Sequence, residues 1–360
     1  MLVSLSWLKE LVQVDDAVDD LAERLSMAGF EVENVDDLSA QSKGVVVGHV
    51  LTRDKHPNAD KLSVCRVDIG AEEPVQIVCG AANVRAGIHV PVATVGAVLP
   101  AVDLTIKAGE LRGVTSDGMI CSLSELGLTA DSSGIAILED STEEVPPVGT
   151  PVAALFGLDD TVLELAITAN RPDGMSMVGI AREVAALTNA SLSLPSLNHT
   201  PDQEQLQTEL DGSYYGIACV EGVRGDQESP QWIQQRLSRA GINAVNAVVD
   251  ITNLVMLEQG QPLHAFDAEA LESLTGQSVD AASFAVRPAK DQETFIGLDD
   301  QSLCLDPRVQ VVTCHDRAIA IAGVMGSRDS AVSDSTTRIW LESAMFSPIR
   351  VRQSSRAVGL

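Results

Sequence analysis

Four runs rich in Val and Ile decide the fold of the middle of this chain: GVVVGHVL at 44–51, KLSVCRVDIG at 61–70, PVQIVCGA at 74–81 and IHVPVATVGAVL at 88–99. The runs are short, lie close together and are separated by turn residues, with almost no helical period. β-Branched residues favour strands, and this spacing is typical of a small closed barrel. The sequence therefore predicts a β-barrel domain over residues 41–150.

The segments that flank the barrel each carry only part of a domain. Residues 1–40 contain a short strand, a helix at 16–28 and a second strand, whereas residues 151–190 contain a strand at 161–168 and a helix at 177–188. One strand and one helix are too little to form a core. We therefore predict that 1–40 and 151–190 form one discontinuous α/β domain into which the barrel is inserted.

A polar, proline-containing stretch at 191–212 predicts a linker, and residues 213–360 predict a further mixed α/β domain. The fold class predicted for the 360 residues is thus multidomain α+β. Residues 1–12 lack the features of a signal peptide, and no apolar run is long enough to cross a bilayer. Six cysteines without a CxxC pair indicate reduced thiols rather than zinc ligands, so we expect a cytoplasmic protein without a metal site.

The net charge of −27 at first argues against a protein that binds nucleic acid, because phosphate contacts require Lys and Arg. The charge is unevenly distributed, however. Residues 41–128 hold 8 basic and 9 acidic residues, whereas the remainder holds 16 basic and 42 acidic residues. The near-neutral barrel is therefore the place where RNA could approach, and the excess acid elsewhere favours solubility.

The barrel carries a motif between two of its strands, His56-Pro57-Asn58-Ala59-Asp60-Lys61-Leu62, followed later by Leu111-Arg112-Gly113-Val114. Taken alone, the motif could be a stable turn with a solvated rim of lysines. The whole string resembles the tRNA-binding oligonucleotide-binding (OB) barrel that is attached to several aminoacyl-tRNA synthetases. The resemblance implies an OB-fold that binds tRNA by shape and backbone. The candidate tRNA-binding residues are Arg53, Lys55, His56, Asn58, Lys61 and Arg112.

Residues 213–360 carry a second group of motifs. DITNLV at 250–255 leads into GQPLHAFD at 260–267, AIAIAGVMG at 318–326 predicts a buried strand that ends in glycine, and WLESA at 340–344 places a carboxylate at the centre of an apolar strand. A buried acid is costly without a partner, so Glu342 is a candidate ligand-facing residue. The alternatives are a structural histidine after the turn and an ion pair of Glu342 with Arg338 or Arg350.

The order and the amino-acid sequences of these motifs resemble those of the editing domain of the bacterial phenylalanyl-tRNA synthetase β subunit. MLVSLSWLKE at 1–10 and NRPDGMSMVGIAREVAA at 170–186 extend that resemblance over nearly the whole chain. The family implies a site that hydrolyses tyrosine wrongly attached to tRNA(Phe). The residues that match its pocket are Thr252, Asn253, His264, Gly326 and Glu342.

The resemblance also implies a role for each group. Glu342 would accept the phenol hydrogen of tyrosine, which phenylalanine lacks, and Gly326 would let the backbone approach the bound aminoacyl group. His264 and Asn253 would orient the ester and a water, since no Ser-His-Asp or Cys-His arrangement is evident. Leu254 and Ser327 depart from the family pattern, in which tyrosine and a second glycine are usual.

The family further implies partners that lie outside this chain. It suggests an α subunit that performs ATP- and Mg-dependent aminoacylation, in a heterotetramer of two α and two β subunits. No cofactor is expected in this chain itself. The family continues beyond the residue that corresponds to Leu360, so we expect the editing domain to be incomplete there. The alternative is a tRNA-binding scaffold without hydrolytic activity.

Overall fold

The computed structural model describes residues 1–130, 133–142, 144–195 and 214–360. The chain divides into two units: unit 1 combines residues 1–33 with 164–360, and unit 2 comprises residues 34–163. The predicted linker at 191–212 lies outside the described residues from 196 onward. In the ranges just given, no helix is both long enough and apolar enough to cross a bilayer.

The helices and strands follow one another in this chain order. The first segment holds β1 (Leu2–Ser4), α1 (Leu5–Leu11), α2 (Val18–Met27) and β2 (Glu31–Asp37). The middle segment holds β3 (Val45–Lys55), β4 (Ser63–Asp68), β5 (Val75–Cys79), β6 (His89–Ala93), β7 (Val98–Leu99), β8 (Leu104–Thr105), β9 (Gly109–Leu111), β10 (Val114–Ser116) and β11 (Met119–Ile120). Next come β12 (Thr161–Ala166) and α3 (Met177–Thr188). The last segment holds β13 (Tyr214–Glu221), α4 (Gln231–Arg239), α5 (Ala247–Gln259), β14 (Leu263–Asp267), α6 (Ala268–Thr275), β15 (Phe284–Pro288), β16 (Glu293–Ile296), β17 (Ser302–Leu305), β18 (Gln310–Cys314), β19 (Arg317–Ile321), β20 (Met325–Gly326), β21 (Arg338–Met345) and α7 (Pro348–Val358).

Unit 2 contains an antiparallel sheet of five strands in the order β11-β6-β3-β4-β5. The sheet curls until its two ends nearly meet. The Asp117 N–H donates to the Gln76 carbonyl at 2.8 Å, and the Val78 N–H donates to the Ser116 hydroxyl at 3.0 Å. These bonds satisfy polar groups of β5 that would otherwise form an open edge. The predicted β-barrel is therefore confirmed as a nearly closed one.

Unit 2 extends past the barrel boundary predicted at residue 150. Val152, Phe156 and Leu158 are buried in the same core as Val45 and Leu99. Backbone bonds fasten this segment to β3, because the Val152 N–H donates to the Val45 carbonyl at 3.2 Å. Apolar burial thus draws the residues after the predicted boundary into unit 2.

The short segments of unit 1 include the elements predicted around the barrel. Strands β1, β12 and β2 form a three-stranded sheet in the order β1-β12-β2. Helix α3 begins at the predicted residue because the Ser176 hydroxyl accepts from the Gly179 N–H at 3.0 Å as an N-cap. It ends at Asn189, whose left-handed φ of 55° stops the helix.

The remainder of unit 1 contains the two-stranded sheet β16-β17 and two larger antiparallel sheets, in the orders β13-β21-β14 and β15-β18-β19-β20. The two larger sheets share one buried cluster, in which Phe266 of β14, Phe284 of β15 and Trp340 of β21 pack together. In the first of these larger sheets β21 is the central strand, between β13 and β14. That strand carries Glu342.

The single strand predicted at 318–326 is wrong. The stretch forms a hairpin of β19 and β20, with Ala320 opposite Gly326. The reversal occurs at Gly323, whose φ of 68° is left-handed, and the Val324 N–H donates to the Ile321 carbonyl at 2.9 Å. The turn could not be recognised from sequence because residues 318–326 are continuously apolar, and a buried hairpin has the same composition as a buried strand.

Candidate functional site

Strand β21 brings two of the predicted site residues into register. Glu342 lies directly opposite His264 of β14 on one side and Ile217 of β13 on the other. Residues that are opposite each other in an antiparallel sheet share a face, so the imidazole and the carboxylate are neighbours. The alternative ion pair with Arg338 is not formed, because the Arg338 guanidinium contacts Glu272 at 2.9 Å and Glu269 at 3.5 Å.

The turn before β14 explains how His264 reaches this face. Helix α5 ends at Gly260, whose φ of 78° is left-handed, and Pro262 prevents the helix from continuing. The Gln261 side-chain amide then donates to the carbonyl of Ala344 at 3.0 Å, which ties the turn to β21. His264 follows three residues after Gln261. Its place is set by backbone geometry rather than by its own side-chain bonds.

Gly326 completes the group, and the structure shows a steric reason for its glycine that the sequence analysis did not include. A Cβ at this position would lie 2.5 Å from Cε1 and 2.7 Å from Nε2 of His264. The imidazole therefore occupies the space that a side chain would need, whereas we expected that space to serve the aminoacyl group. The three residues His264, Gly326 and Glu342, which are far apart in sequence, converge on one place.

These three residues line a cavity of about 370 Å³. Its other walls are apolar or backbone and come from β14, the β19–β20 hairpin, the end of β21 and helix α7. They are Pro262, Leu263, Ala320, Ile321, Gly323, Val324, Met325, Ala344, Phe346 and Val351. A mostly apolar cavity of this size with a few convergent polar groups is typical of a small-ligand site.

Burial controls the protonation of both polar groups in the cavity. Burial raises the pKa of Glu342 to about 7, against the opposing effect of the neighbouring Tyr215 hydroxyl. It lowers the pKa of His264 to about 4, so the imidazole is neutral at physiological pH. Glu342 Oε2 and His264 Nε2 are buried without a hydrogen-bond partner. Unpaired buried polar atoms are costly, and the site therefore suits a ligand that can bond to them.

Tyr215 is a member of this site that the sequence analysis missed. It lies on β13, two residues from the position opposite Glu342, and only 2% of its surface is exposed. Burial and the nearby Glu342 raise the pKa of Tyr215 well above its ordinary value. Alternation over Tyr215 and Ile217 could have indicated an inward-facing tyrosine, but the preceding Tyr214 made the two aromatic positions difficult to tell apart.

Thr252 and Asn253 are not brought to the cavity. Both lie on α5, and the Thr252 hydroxyl donates to the Val249 carbonyl of the same helix at 2.6 Å. Leu254, which departs from the family pattern, is also on α5 and does not line the cavity. Ser327, which also departs from the family pattern, is accommodated without backbone strain. Its φ is −83°, and its hydroxyl accepts from the Asp329 N–H at 3.2 Å.

In unit 2, His56 is buried and bonds to the protein itself instead of being exposed to RNA. The residue is 2% exposed, its Nε2 donates to the Leu111 carbonyl at 3.0 Å, and its Nδ1 accepts from the Asn58 N–H at 3.0 Å. Asn58 in turn donates its side-chain amide to the Arg112 carbonyl at 2.8 Å. Both residues therefore fasten the turn His56-Pro57-Asn58, here called the HPN turn, to the β9–β10 hairpin.

The four other predicted tRNA-binding residues are exposed cations. Arg53 and Lys55 lie at the end of β3, Lys61 follows the HPN turn, and Arg112 lies at the tip of the β9–β10 hairpin. The Asn58 bond holds that tip beside the turn. Lys55 is partly neutralised by Asp60, with Nζ and Oδ1 2.9 Å apart. The arrangement is a small basic rim on an otherwise acidic chain.

A second cavity, of about 460 Å³, lies in unit 2 at the ends of β5 and β11. Its polar lining includes Ser122, Ser124 and Glu125, and one carboxylate oxygen of Glu125 accepts from both the N–H and the hydroxyl of Ser122. None of the predicted tRNA-binding residues lines this cavity. Its larger volume therefore does not make it the functional site.

Two protein-family models match the chain. The model described as "Putative tRNA binding domain" covers residues 45–147, and the model described as "B3/4 domain" covers residues 211–360. The first range coincides with the barrel. The second includes His264, Gly326, Glu342 and Tyr215, so all the residues that converge in unit 1 lie within it.

Curated relatives match over the full length of the chain. The phenylalanine–tRNA ligase beta subunits of Synechococcus sp. strains CC9902 and CC9605 are 91% and 72% identical to it over 360 residues, which are 100% of this chain and 45% of each relative. The solved N-terminal fragment of the phenylalanyl-tRNA synthetase beta subunit from Pyrococcus horikoshii is 14% identical, with a TM-score of 0.27 over 56% of this chain and 62% of that chain. The chain therefore spans about half the length of the curated relatives it matches. Over every residue, the chain matches the N-terminal portion of phenylalanine–tRNA ligase beta subunits.

Proposed function

We propose that unit 1 carries a proofreading site that hydrolyses tyrosine esterified to tRNA(Phe). The observation that carries this proposal is the convergence of Glu342, His264 and Gly326 on one cavity whose remaining walls are apolar. An aromatic ring suits the apolar walls, and a para-hydroxyl suits the unpaired Glu342 oxygen. Phenylalanine would leave that acid buried without a partner, so the cavity favours tyrosine.

Water is the proposed nucleophile. Among the described residues that line the cavity, none carries a hydroxyl or a thiol that could form an acyl-enzyme. His264 is neutral and has an unpaired Nε2, so it can bond to a water or to the ester. Holding a water against the ester carbonyl replaces an encounter in solution by a preorganised geometry, which is a large part of catalysis in such sites.

The proposal for the whole ligase is broader. The barrel would bind tRNA through its basic rim, and a separate α subunit would perform ATP- and Mg-dependent aminoacylation in a cytoplasmic heterotetramer. Within the ranges that the structure describes, no group of three His, Cys, Asp or Glu is arranged to hold a metal ion.

A deacylation assay tests the proofreading proposal. Complete β subunit assembled with its α subunit is mixed with tRNA(Phe) charged beforehand with radiolabelled tyrosine, and the release of tyrosine is followed without ATP. We expect release well above the buffer rate, and a loss of roughly 100-fold in His264→Ala. Glu342→Ala should reduce the preference for the tyrosyl over the phenylalanyl ester by roughly 10- to 100-fold.

One observation favours a second candidate, a tRNA-binding scaffold without hydrolysis. Thr252 and Asn253, which the family resemblance places in the pocket, lie on α5 and do not line the cavity. The same assay separates the two candidates. Release at the buffer rate by wild type and by both variants, together with retained tRNA binding, would leave only the scaffold.

A further inference from the structure

Tyr215 and Glu342 are diagonal neighbours on one face of the β13-β21-β14 sheet. Tyr215 lies opposite Ala344, and Glu342 lies opposite Ile217, so the two side chains are offset by two residues on adjacent strands. Diagonal neighbours of this kind are within reach of long and aromatic side chains. His264 flanks Glu342 from the other adjacent strand. The carboxylate therefore has one polar neighbour on each side.

The two neighbours leave complementary atoms unpaired. Tyr215 and Glu342 are 2% and 8% exposed, and both Tyr215 Oη and Glu342 Oε2 are buried without a hydrogen-bond partner. One of these atoms carries a donor hydrogen, and the other is an acceptor. The Tyr215 ring packs against Phe346, with centroids 6.5 Å apart, inside the cluster that joins the two sheets. Its hydroxyl is therefore held beside the carboxylate.

We propose that Tyr215 is a positioning residue, whose hydroxyl donates to the Glu342 carboxylate and keeps that carboxylate charged and aimed into the cavity. This inference rests on the proofreading function proposed above. Tyr215 does not line the cavity, so it acts through Glu342 rather than on the ligand. A carboxylate has about four acceptor positions, so it can accept from Tyr215 and from the phenol of a bound tyrosyl group together.

The surroundings of Glu342 leave few other groups that could favour its charged form. His264 faces it from β14 and is neutral, since burial lowers its pKa to about 4. Cys314 of β18 lies near Tyr215 and is also neutral, because burial raises its pKa to about 11. The elements β19 and α7 present apolar groups to the cavity, Ala320 and Ile321 from the strand and Val351 from the helix. A neutral acid would lose its preference for a donor, so the Tyr215 bond is what maintains selectivity.

The test compares Tyr215→Phe with Tyr214→Phe in the 360-residue chain. The control removes the same hydroxyl from the preceding residue, which is 56% exposed and on the opposite face of β13. The side-chain carboxyl of Glu342 is followed by carbon-13 NMR during a pH titration, and its signal is assigned by its loss in Glu342→Gln. We expect the titration midpoint to rise by about one pH unit in Tyr215→Phe and to be unchanged in the control.

A second substitution keeps the test valid if Tyr215→Phe folds poorly. The chain has only two tyrosines, so growth on fluorotyrosine in the Tyr214→Phe background labels Tyr215 alone. Its more acidic phenol is a stronger donor and should lower the Glu342 midpoint. A midpoint that stays at the wild-type value in both Tyr215 variants overturns the inference.

The activity readout separates this inference from the proposed function. The preference for the tyrosyl ester should be lost as pH falls below the Glu342 midpoint. In the assembled ligase, Tyr215→Phe should therefore shift this loss to higher pH by the same amount as it shifts the midpoint. A shifted midpoint in a ligase that hydrolyses neither ester supports the positioning role and refutes the proofreading function. A pH profile of ester preference that matches that of wild type counts against the positioning role while proofreading stands.

Discussion

At the scale of single residues, Glu342 reduces the stability of the folded protein. A carboxylate at the centre of a buried strand is expensive, and the structure does not compensate it with an ion pair to Arg338. Burial raises the pKa of Glu342 from its ordinary value of 4.5 to about 7. The folded state therefore disfavours the ionised form of Glu342, and the resulting loss of folding stability depends on pH.

Glu342→Gln should stabilise the protein, and more so at high pH. Below pH 4.5 the acid is neutral in the folded and unfolded states, and its burial carries no charge penalty. As pH rises from about 4.5 to about 7, only the unfolded state ionises, and the folded state loses stability by an amount on the order of 3 kcal/mol. We expect the free energy of unfolding of Glu342→Gln to exceed that of wild type by about this amount at pH 8.5 and by about 1 kcal/mol or less at pH 5.

Urea unfolding of the 360-residue chain at both pH values measures the difference. Glu164→Gln is the matched control, because Glu164 is also in a strand but is exposed. The control should leave stability nearly unchanged at either pH. Destabilisation by Glu342→Gln at pH 8.5 would mean that the groups that favour the ionised acid, Tyr215 among them, outweigh the cost of burying its charge.

Gly326 and His264 make a second prediction at this scale. Alanine at residue 326 would put a Cβ within 2.7 Å of the imidazole, so the ring must move out of its place beside Glu342. We expect Gly326→Ala to reduce tyrosyl-ester hydrolysis by at least about tenfold and to destabilise the protein by about 1–3 kcal/mol. Deacylation kinetics and urea unfolding check the two effects.

The control for this substitution is Gly109→Ala. A Cβ at residue 109 would approach only the Lys107 carbonyl, at 4.0 Å, so it should alter neither quantity. Hydrolysis at the wild-type rate in Gly326→Ala would show that the position of His264 is not required for the reaction.

At the scale of elements, the HPN turn and the β9–β10 hairpin form one support for the basic rim. His56 and Asn58 bond to the carbonyls of Leu111 and Arg112, which face them from the hairpin. Arg112 has a left-handed φ of 53°, and the hairpin tip therefore carries strain that these bonds offset. The turn is thus a positioning element for the cation at the tip.

Asn58→Ala should loosen this hairpin without unfolding the barrel. The substitution removes one hydrogen bond, which contributes about 1 kcal/mol, so amide exchange over residues 109–116 should accelerate by roughly fivefold. Hydrogen–deuterium exchange measured by mass spectrometry resolves this segment. Exchange in β3 and β6 is the internal control and should not change. Equal acceleration in those strands would show that the bond supports the whole barrel instead.

The elements also show what could and could not be predicted from sequence. The barrel and α3 were predictable because their signals are local: alternating β-branched runs, and Ser176 ahead of an apolar periodicity. The buried role of His56 was not, since its partner Leu111 is 55 residues away. Local alternation could have placed Tyr215 on the inner face of β13, but only the register with β21 reveals that it neighbours Glu342.

At the scale of the whole molecule, the charge distribution restricts where and how tightly RNA can bind. The chain carries a net charge of −27, so polyanions are repelled over most of its surface. The barrel region is near neutral, and four of its exposed cations, Arg53, Lys55, Lys61 and Arg112, form the basic rim. Binding through such a rim should be weak and should depend on backbone contacts rather than on base sequence.

Salt dependence of tRNA binding tests this view of the rim. Each phosphate contact contributes about 0.7–0.9 to the slope of log affinity against log salt, so four exposed cations predict a slope of about −3. Lys61→Ala should make the slope shallower by about 1 and should weaken binding equally for tRNAs of different sequence. Lys9→Ala is the control, because Lys9 is an exposed lysine of α1 in unit 1. Fluorescence anisotropy between about 50 and 200 mM KCl measures both slopes. If Lys9→Ala changes the slope as much as Lys61→Ala, RNA responds to the total charge of the molecule and the barrel rim has no special role.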